Sequence, residues 1–477
     1  MHKSIVILYF SLFYSFAIGQ TNLDQLEKDI KNNKLTTVIT NNSVPLTLLD
    51  AIEEGLRKNS EQIERKYEFQ INELTYLDAR DEFYFPKLNL TMNTSSDHFT
   101  ENLYRDDKDN SQSGQTPSGS IGLGFEEYTL FNWGKDYLVF LNAKGNYKRT
   151  KEKLSEEKRE LRFLIISEFF NLSRNHQLVR AYKKQLGHTS FLYRLAKEKM
   201  MLRKLGSQEF LQAKALFLKA HKNYHNSLVE YYSAQESMAK LLGKDLKTIF
   251  RPLSFLKYKS INFSPKESYS FVLKNNPSLK EAKNSMLISQ RTYQKVLKEN
   301  MPLPKFSLKL GSYQRGFSSG GYEDKYETFD ESKNIEIAAT LNMSWTIYGS
   351  GGFFNSRITE KSFLNKKISE IRLRENHRSI EVSNNLTHKR IIYLEKKYEA
   401  SLAQVNNARD VFDKAIDNYI ASKTHFSNID FVLDEIIESK VDYENTKYAH
   451  LVEKLNMAAL MGVDDFAGEK FDNLVEQ

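Results

Sequence analysis

The sequence predicts a mainly α-helical protein made of two copies of one unit, in which each copy adds a β-hairpin to long helices. Three observations lead to this prediction: landmarks recur at a nearly constant offset, apolar residues alternate in short segments, and long stretches contain no proline. The bulk properties agree, because 477 residues exceed one ordinary core and 12% aromatic residues exceed what a disordered chain carries.

The duplication is visible as four landmarks that recur in the same order at offsets of 217–219 residues. They are Asn59 and Asn276, Pro86 and Pro304, Gly134 and Gly351, and Gly243 and Gly462. Four matches at nearly one offset indicate an internal repeat of about 200 residues, which is the size of a complete structural unit.

Each repeat begins with a helix that ends at a proline. Helix N-caps are indicated by Thr47 and by Ser264, which is followed by proline at the first helical position and Glu267 in the first turn. We expect these helices to span 47–83 and 265–299, because Pro86 and Pro304 cannot continue a helix.

Two strand-like segments follow in each repeat, where the apolar period changes from helical to two. The segments are 88–93 and 120–125 in the first repeat, and 306–311 and 335–346 in the second. The last one has an apolar face long enough for a tilted strand in a bilayer, although a half-buried strand of a soluble sheet has the same pattern.

Polar loops, at 95–117 and 314–332, join the two strands of each repeat into a hairpin. Four strands cannot close a barrel, which needs at least about eight. Either the sheet packs within its own chain or several chains combine their strands.

A long helix and a returning helix complete each repeat. Residues 134–205 contain no proline and would form a helix on the order of 100 Å long. The chain is expected to turn at 205–207 and return to 242; the second repeat runs from 353 to 420, turns at 422–424 and returns to 461. Such long amphipathic helices are typical of coiled coils, including purely structural ones.

The N-terminus has the pattern of an export signal. Residues 1–3 form a short basic start, 5–18 are mostly apolar, and Ala17 and Gly19 provide the small residues for a cleavage before Gln20. The alternative, a membrane anchor or buried helix, is disfavoured because the apolar run is short and polar sequence follows. The mature chain has no apolar run near 20 residues, so any membrane crossing would use strands.

Charge and composition argue against several other classes of function. The net charge of +8 is mild, and Lys and Arg alternate with Asp and Glu, as on solvated helix faces rather than nucleic-acid-binding patches. Cysteine is absent, which excludes thiolate chemistry. The pair His221 and His225 could share a metal ion, but no third ligand is evident. We therefore predict no enzyme activity, no catalytic residues, no cofactor and no metal.

The order of these elements resembles the TolC family of outer-membrane efflux and secretion channels. The resemblance covers nearly the whole mature chain and is carried by short motifs in the same order. They are Leu48–Asn59, the strand starts Pro-x-Leu-x-Leu at Pro86 and Pro-x-Phe-x-Leu at Pro304, the corner Leu130–Gly134, and Leu205–Ala213 with its counterpart Val432–Asp434.

The resemblance implies a homotrimer whose twelve strands form a β-barrel in the lipid of the cell outer membrane, with a long α-helical coiled-coil barrel in the periplasm. It also implies a periplasmic adaptor (membrane fusion) protein and an inner-membrane RND or ABC-type transporter as partners. The implied function is the exit duct of a tripartite efflux system for small molecules. The alternatives are the outer-membrane component of a type I protein secretion system and a periplasmic coiled-coil protein without a pore.

This interpretation divides the chain into six parts. They are a signal peptide (1–19), an N-terminal extension (20–45), the first repeat (46–243), a connector (244–262), the second repeat (263–462) and a C-terminal tail (463–477).

In the resembled family the periplasmic tip is closed by hydrogen bonds and ion pairs and narrowed by a ring of acidic residues, and the tip of this chain falls at the two coil turns. The resemblance assigns the acidic position to Asp434, with Asp430 close by, and Tyr419 and Lys423 would hold the closed state. Repeated by symmetry, the carboxylates would attract cations. The alternative for Asp430 is that it caps the returning helix.

Overall fold

The computed structural model describes residues 43–94, 119–125, 128–203, 205–310, 312–317, 339–344, 356–421 and 423–476. The predicted signal peptide, the loop at 95–117 and Gly351, the counterpart of Gly134, lie outside this set. So do nearly all of the N-terminal extension, most of the predicted loop at 314–332 and both ends of the predicted strand at 335–346. None of the helices in the described ranges is both long and apolar enough to cross a membrane.

The helices follow the predicted order, with each opening helix divided in two. They are α1 (Leu48–Lys58), α2 (Ser60–Tyr84), α3 (Lys135–Met201), α4 (Ser207–Leu241), α5 (Pro265–Asn275), α6 (Pro277–Glu299), α7 (Ser356–Ile420) and α8 (Phe426–Met461). The predicted turns near 205–207 and 422–424 lie between α3 and α4 and between α7 and α8.

Ten short strands accompany the helices in the described part of the chain. They are β1 (Val44–Leu46), β2 (Leu88–Thr94), β3 (Gly119–Phe125), β4 (Tyr128–Phe131), β5 (Phe250–Pro252), β6 (Phe255–Leu256), β7 (Lys305–Leu310), β8 (Ser312–Phe317), β9 (Ala339–Ser344) and β10 (Val475–Glu476). The prediction of a loop from 314 onward is wrong at its start, because β8 continues to Phe317.

The chain separates into two compact units. Unit 1 comprises 1–66, 154–277 and 379–477, and unit 2 comprises 67–153 and 278–378. Unit 1 therefore contains the helical turns, the connector and the tail, whereas unit 2 contains both hairpins.

In unit 1 the helix starts are capped as predicted, but the first helix is interrupted. The Thr47 hydroxyl accepts a hydrogen bond from Asp50 N (3.2 Å), and Ser264 forms a capping box with Glu267. The prediction of one helix over 47–83 is wrong, because Asn59 adopts an extended conformation (φ −61°, ψ 127°) that ends α1. The prediction of one helix over 265–299 is wrong in the same way, because Asn276 (φ −57°, ψ 125°) interrupts it, and the proline that follows disfavours the helical conformation at that residue.

The connector of unit 1 is bound to both ends of the described chain. Strand β1 pairs in parallel with β5, and β10 pairs antiparallel with β6. The Gln235 side chain bonds both the N–H and the C=O of buried Phe250, each over 2.7 Å. These two bonds hold the connector against α4, and they replace the backbone bonds that a second neighbouring strand would make to Phe250.

In unit 2 the two predicted hairpins are observed, as the antiparallel pairs β2–β3 and β7–β9. They are joined antiparallel through β3–β8 and β4–β7. The two sheets have the strand orders β2-β3-β8 and β4-β7-β9, so β2, β8, β4 and β9 each have a single neighbour among the described strands. Because β4 follows β3 and β8 follows β7 almost directly along the chain, we count each of these pairs as one strand line, and β2 and β9 are then the outer of four strand lines. Leu90 and Leu341 on these outer strands are 73% and 64% exposed, so an apolar surface reaches both edges.

Aromatic packing holds α2 against the first turns of α3 within unit 2. Tyr76 stacks on Tyr147 with ring centroids 4.8 Å apart, and Phe83 stacks on Phe140 at 5.2 Å. These contacts support the end of α2, where the chain passes into β2.

Candidate functional site

The candidate site lies in unit 1, where the two helical turns pack on each other. A buried apolar cluster joins the ends of α3 and α7 to the beginnings of α4 and α8. Its members are Leu192, Ala196, Ala213, Leu216, Phe412, Tyr419, Phe426, Ile429, Val432 and Leu433. A polar contact adds to this packing, since His425 Nδ1 lies 3.4 Å from Glu209 Oε1.

Tyr419 is an interior residue of this cluster, with only 3% of its surface exposed. The Lys199 Nζ lies 4.7 Å from the centre of its ring and donates a hydrogen bond to its carbonyl oxygen (3.3 Å). Phe426 packs edge-on against the same ring at 5.7 Å. Burial raises the pKa of Tyr419, which therefore stays a neutral phenol. The cation that contacts Tyr419 is therefore Lys199, which the sequence analysis had not singled out.

Lys423 is exposed, and the described residues provide no recorded partner for its side chain. Only its backbone N–H is engaged, in a 2.8 Å bond to the carbonyl oxygen of Asn418. The structure therefore does not bring Tyr419 and Lys423 together.

Asp430 and Asp434 lie one turn apart on α8, facing Lys219 of α4. Lys219 Nζ is 2.6 Å from Asp434 Oδ2, and this hydrogen bond raises the pKa of Lys219. Among the described residues, Asp430 forms no ion pair. Burial is the main cause that raises the pKa of its carboxyl, and the negative charge of Asp434 raises it further. The positive charge of Lys219 acts in the opposite direction.

The capping alternative for Asp430 is wrong. Helix α8 begins at Phe426 with His425 as its N-cap, so Asp430 lies in the second turn, beyond the free N–H groups of the helix end. Its partial burial against α4 explains the raised pKa better than a capping role would.

The three charged groups leave one net negative charge per chain, since Lys219 neutralises one of two carboxylates at neutral pH. This arrangement has no nucleophile and no paired acid and base, but it can attract a cation electrostatically. Sequence reasoning missed Lys219. Its position along the helix was a usable signal. Helices α4 and α8 both begin at a coil turn, and Lys219 and Asp434 lie at similar distances from those beginnings, differing by about one helical turn.

The two histidines on α4 are close to each other but have no third potential metal ligand among the described residues. His221 Nε2 and His225 Nε2 are 3.3 Å apart. Within the described ranges no group of three or more His, Cys, Asp or Glu residues is placed to hold a metal ion.

Comparison with known proteins gives a clear result for architecture. No protein-family model matches the chain, and no curated protein matches it in sequence. Among solved structures, the Campylobacter jejuni CmeC outer membrane channel matches with TM-score 0.71 at 14% identity, covering 87% of this chain and 85% of that one.

Two further structures agree. The outer membrane protein VceC of Vibrio cholerae matches with TM-score 0.71 at 11% identity, over 87% of this chain and 96% of that one. The open state of the Neisseria gonorrhoeae MtrE outer membrane channel matches with TM-score 0.69 at 14% identity, over 87% and 89%. At such low identity the likeness establishes the architecture, and it confirms the predicted resemblance at that level: the chain has the TolC-like fold.

Proposed function

We propose that this chain is the channel-forming subunit of an outer-membrane duct. The observation that carries the proposal is the strand arrangement of unit 2, in which β2 and β9 are the outer of four strand lines and expose apolar side chains. The unpaired N–H and C=O groups at a strand edge can form hydrogen bonds with a strand of another chain, and an exposed apolar face is favourable in contact with lipid. The names of the structural neighbours, which are outer membrane channels, support the same conclusion.

The subunit would assemble as a homotrimer. The four strand lines alternate in direction, so β9 of one copy meets β2 of the next in antiparallel orientation. One chain has too few strands to enclose a lumen, whereas three copies supply twelve. Ring closure then leaves no free edge.

Within this class, we favour the exit duct of a tripartite efflux system, which would work with a periplasmic adaptor and an inner-membrane pump. The net negative charge of Asp430, Asp434 and Lys219, repeated three times, would favour cations at the tip. A type I secretion duct has the same requirements of the channel, because the pump and adaptor select the cargo.

The test is the mass and conductance of the protein purified in detergent. We expect a trimer that conducts ions in planar bilayers. A water-soluble monomer that does not conduct contradicts the proposal.

A pair of neighbouring substitutions sharpens the test. Leu341 and Asn342 are successive residues of β9 and therefore lie on opposite faces of the strand. Leu341→Lys places a charge toward lipid and should block assembly in the membrane, at a cost of about 2–4 kcal/mol near the bilayer centre. Asn342→Lys should still insert but change the conductance. Equal insertion of both variants contradicts a lipid-facing role for Leu341.

A further inference from the structure

A cavity of about 240 Å³ lies within unit 1, between α3, α8 and β6. The α3 side contributes Phe170, Ser173, Arg174 and Gln177, which follow helical spacing along one face. Strand β6 contributes Phe255 and Leu256. We call this space the Arg174–Lys447 cavity after the two cationic residues discussed next.

The lining of the cavity carries an excess of positive charge. Three cations, Arg174, Lys440 and Lys447, line it together with one carboxylate, Glu444. Lys440 Nζ lies 2.7 Å from Glu444 Oε1, so these two neutralise each other. Among the described residues, no carboxylate is paired with Arg174 or Lys447.

Lys447 is buried to an unusual degree for an unpaired lysine, with 8% of its surface exposed. Its ammonium group faces the ring of Tyr443, whose centre is 5.7 Å from Nζ. Among the described residues, no oxygen atom accepts a hydrogen bond from this group. Lysines are almost never this buried unless they are paired, because desolvating a charge is costly.

Arg174 has the same deficiency at a defined atom. Its guanidinium lies 4.6 Å from the centre of the Tyr448 ring, and one Nη2 donates to Asn171 Oδ1 over 2.8 Å. Its Nε–H, in contrast, is buried and lacks a hydrogen-bond partner in the described part of the chain. A guanidinium with free donors is suited to a carboxylate, which it can bind through two parallel bonds.

We propose that the Arg174–Lys447 cavity binds a small organic anion that has one carboxylate and an apolar body. The carboxylate would meet Arg174 and Lys447, and the body would lie against Phe170, Phe255 and Leu256. Inorganic phosphate would satisfy the charge but leave the apolar wall unfilled. The site is separate from the acidic residues of the helical turns and does not depend on the proposed channel function.

Binding would have a structural effect as well. The cavity is bounded by two long helices and by a strand of the connector, so a ligand would contact all three. An anion bound there should therefore stabilise the folded chain, because it binds only the state in which these elements are assembled.

The experiment uses the full chain in detergent, with benzoate as the probe and with acetate, inorganic phosphate and neutral benzamide as comparisons. We expect benzoate to raise the Tm and to bind in calorimetry, more tightly than acetate or phosphate, while benzamide has no effect. Lys447→Met should weaken benzoate binding at least tenfold. Lys222→Met, which removes an exposed lysine of α4, should leave it unchanged.

A second readout separates a binding role from a structural one. Without ligand, Lys447→Met should raise the Tm, because it removes an unpaired buried charge. Arg174→Gln should weaken benzoate binding similarly.

Four results would overturn the proposal. They are equal binding of benzoate and benzamide, equal benzoate binding by Lys447→Met and the wild type, tighter binding of phosphate than of benzoate, and no effect of any anion. None of these readouts involves conductance, so failure here is distinguishable from failure of the channel proposal.

Discussion

Asn59 donates a hydrogen bond from its side-chain amide to the carbonyl oxygen of Leu241 over 3.1 Å, across 182 residues of sequence. Asn276 makes the equivalent bond to Leu460 over 2.8 Å, across 184 residues. The amide thus joins the end of the opening helix to the end of the returning helix in each repeat. Both asparagines are 4% exposed, so the donor side of each bond is shielded from water.

We predict that Asn59→Ala and Asn276→Ala each lower the free energy of unfolding by about 1–3 kcal/mol, because each leaves a partly buried carbonyl at a helix end without its donor. Urea or thermal unfolding of the purified protein measures the effect. Asn72→Ala is the control, since Asn72 is exposed and bonds only within its own helix. Equal losses in all three variants would show that the long-range bonds add nothing.

The glycines that follow these helices should resist substitution. Gly462 has φ +65°, and a Cβ added to it would lie 2.5 Å from the carbonyl oxygen of Asn275. The left-handed conformation alone costs an alanine about 1–2 kcal/mol. Because of the added clash, Gly462→Ala should lower the free energy of unfolding by more than this amount. Gly187→Ala should instead raise stability by roughly 0.5–1 kcal/mol, because Gly187 is helical with open space around it. Thermal unfolding compares the two, and a neutral Gly462→Ala would contradict the predicted clash.

Asp430 should make the helical turns more stable in mild acid. Its folded-state pKa lies above the ordinary value of 3.8, so protons bind more tightly to the folded chain. Its favourable contribution is complete below the unfolded pKa and is lost as pH rises through the folded one. Asp430→Asn should consequently raise the Tm at neutral pH and flatten its dependence on pH just above 3.8. Exposed Asp410→Asn is the control; a wild-type Tm profile retained in Asp430→Asn would contradict this assignment.

Block of the proposed channel by multivalent cations should depend on the balance between Asp434 and Lys219. Asp434→Ala should weaken block, because it removes a carboxylate and leaves Lys219 unpaired. Lys219→Met should strengthen block, because it leaves two uncompensated carboxylates on each chain. Planar-bilayer recordings with a trivalent cation measure both, and Lys222→Met serves as the control. Unchanged block in both variants would exclude this group from the conduction path.

Local signals predicted most of the fold. Thr47 and Ser264 mark helix starts, and proline and glycine mark helix ends, through conformational preferences that act within a few residues. The interruptions at Asn276 and Asn59 both escaped prediction. Pro277 was a usable local signal for the first, because proline disfavours the helical conformation of the residue before it, whereas no such steric block follows Asn59. Its stabilising partner, Leu241, is distant in sequence.

The candidate site shows the same division between local and distant signals. Asp430 and Asp434 could be selected from their position near a turn, whereas the partners Lys199 and Lys219 could not. Lys219 lies 215 residues from Asp434, and Lys199 lies 220 residues from Tyr419. Which of many surface lysines reaches a given group depends on the rotation and register of packed helices, which amphipathic spacing leaves open.

The two small ladders at the connector constrain the order in which unit 1 can fold. Leu256 must meet Val475, about 220 residues further along the chain, and β1 must meet β5 across a similar gap. Closing such large loops costs entropy before any contact compensates for it, whereas α3 and α4 meet across a few residues. We therefore expect the helix pairs α3–α4 and α7–α8 to form early. The pairing of the connector strands β5 and β6 with β1 and β10 should form last.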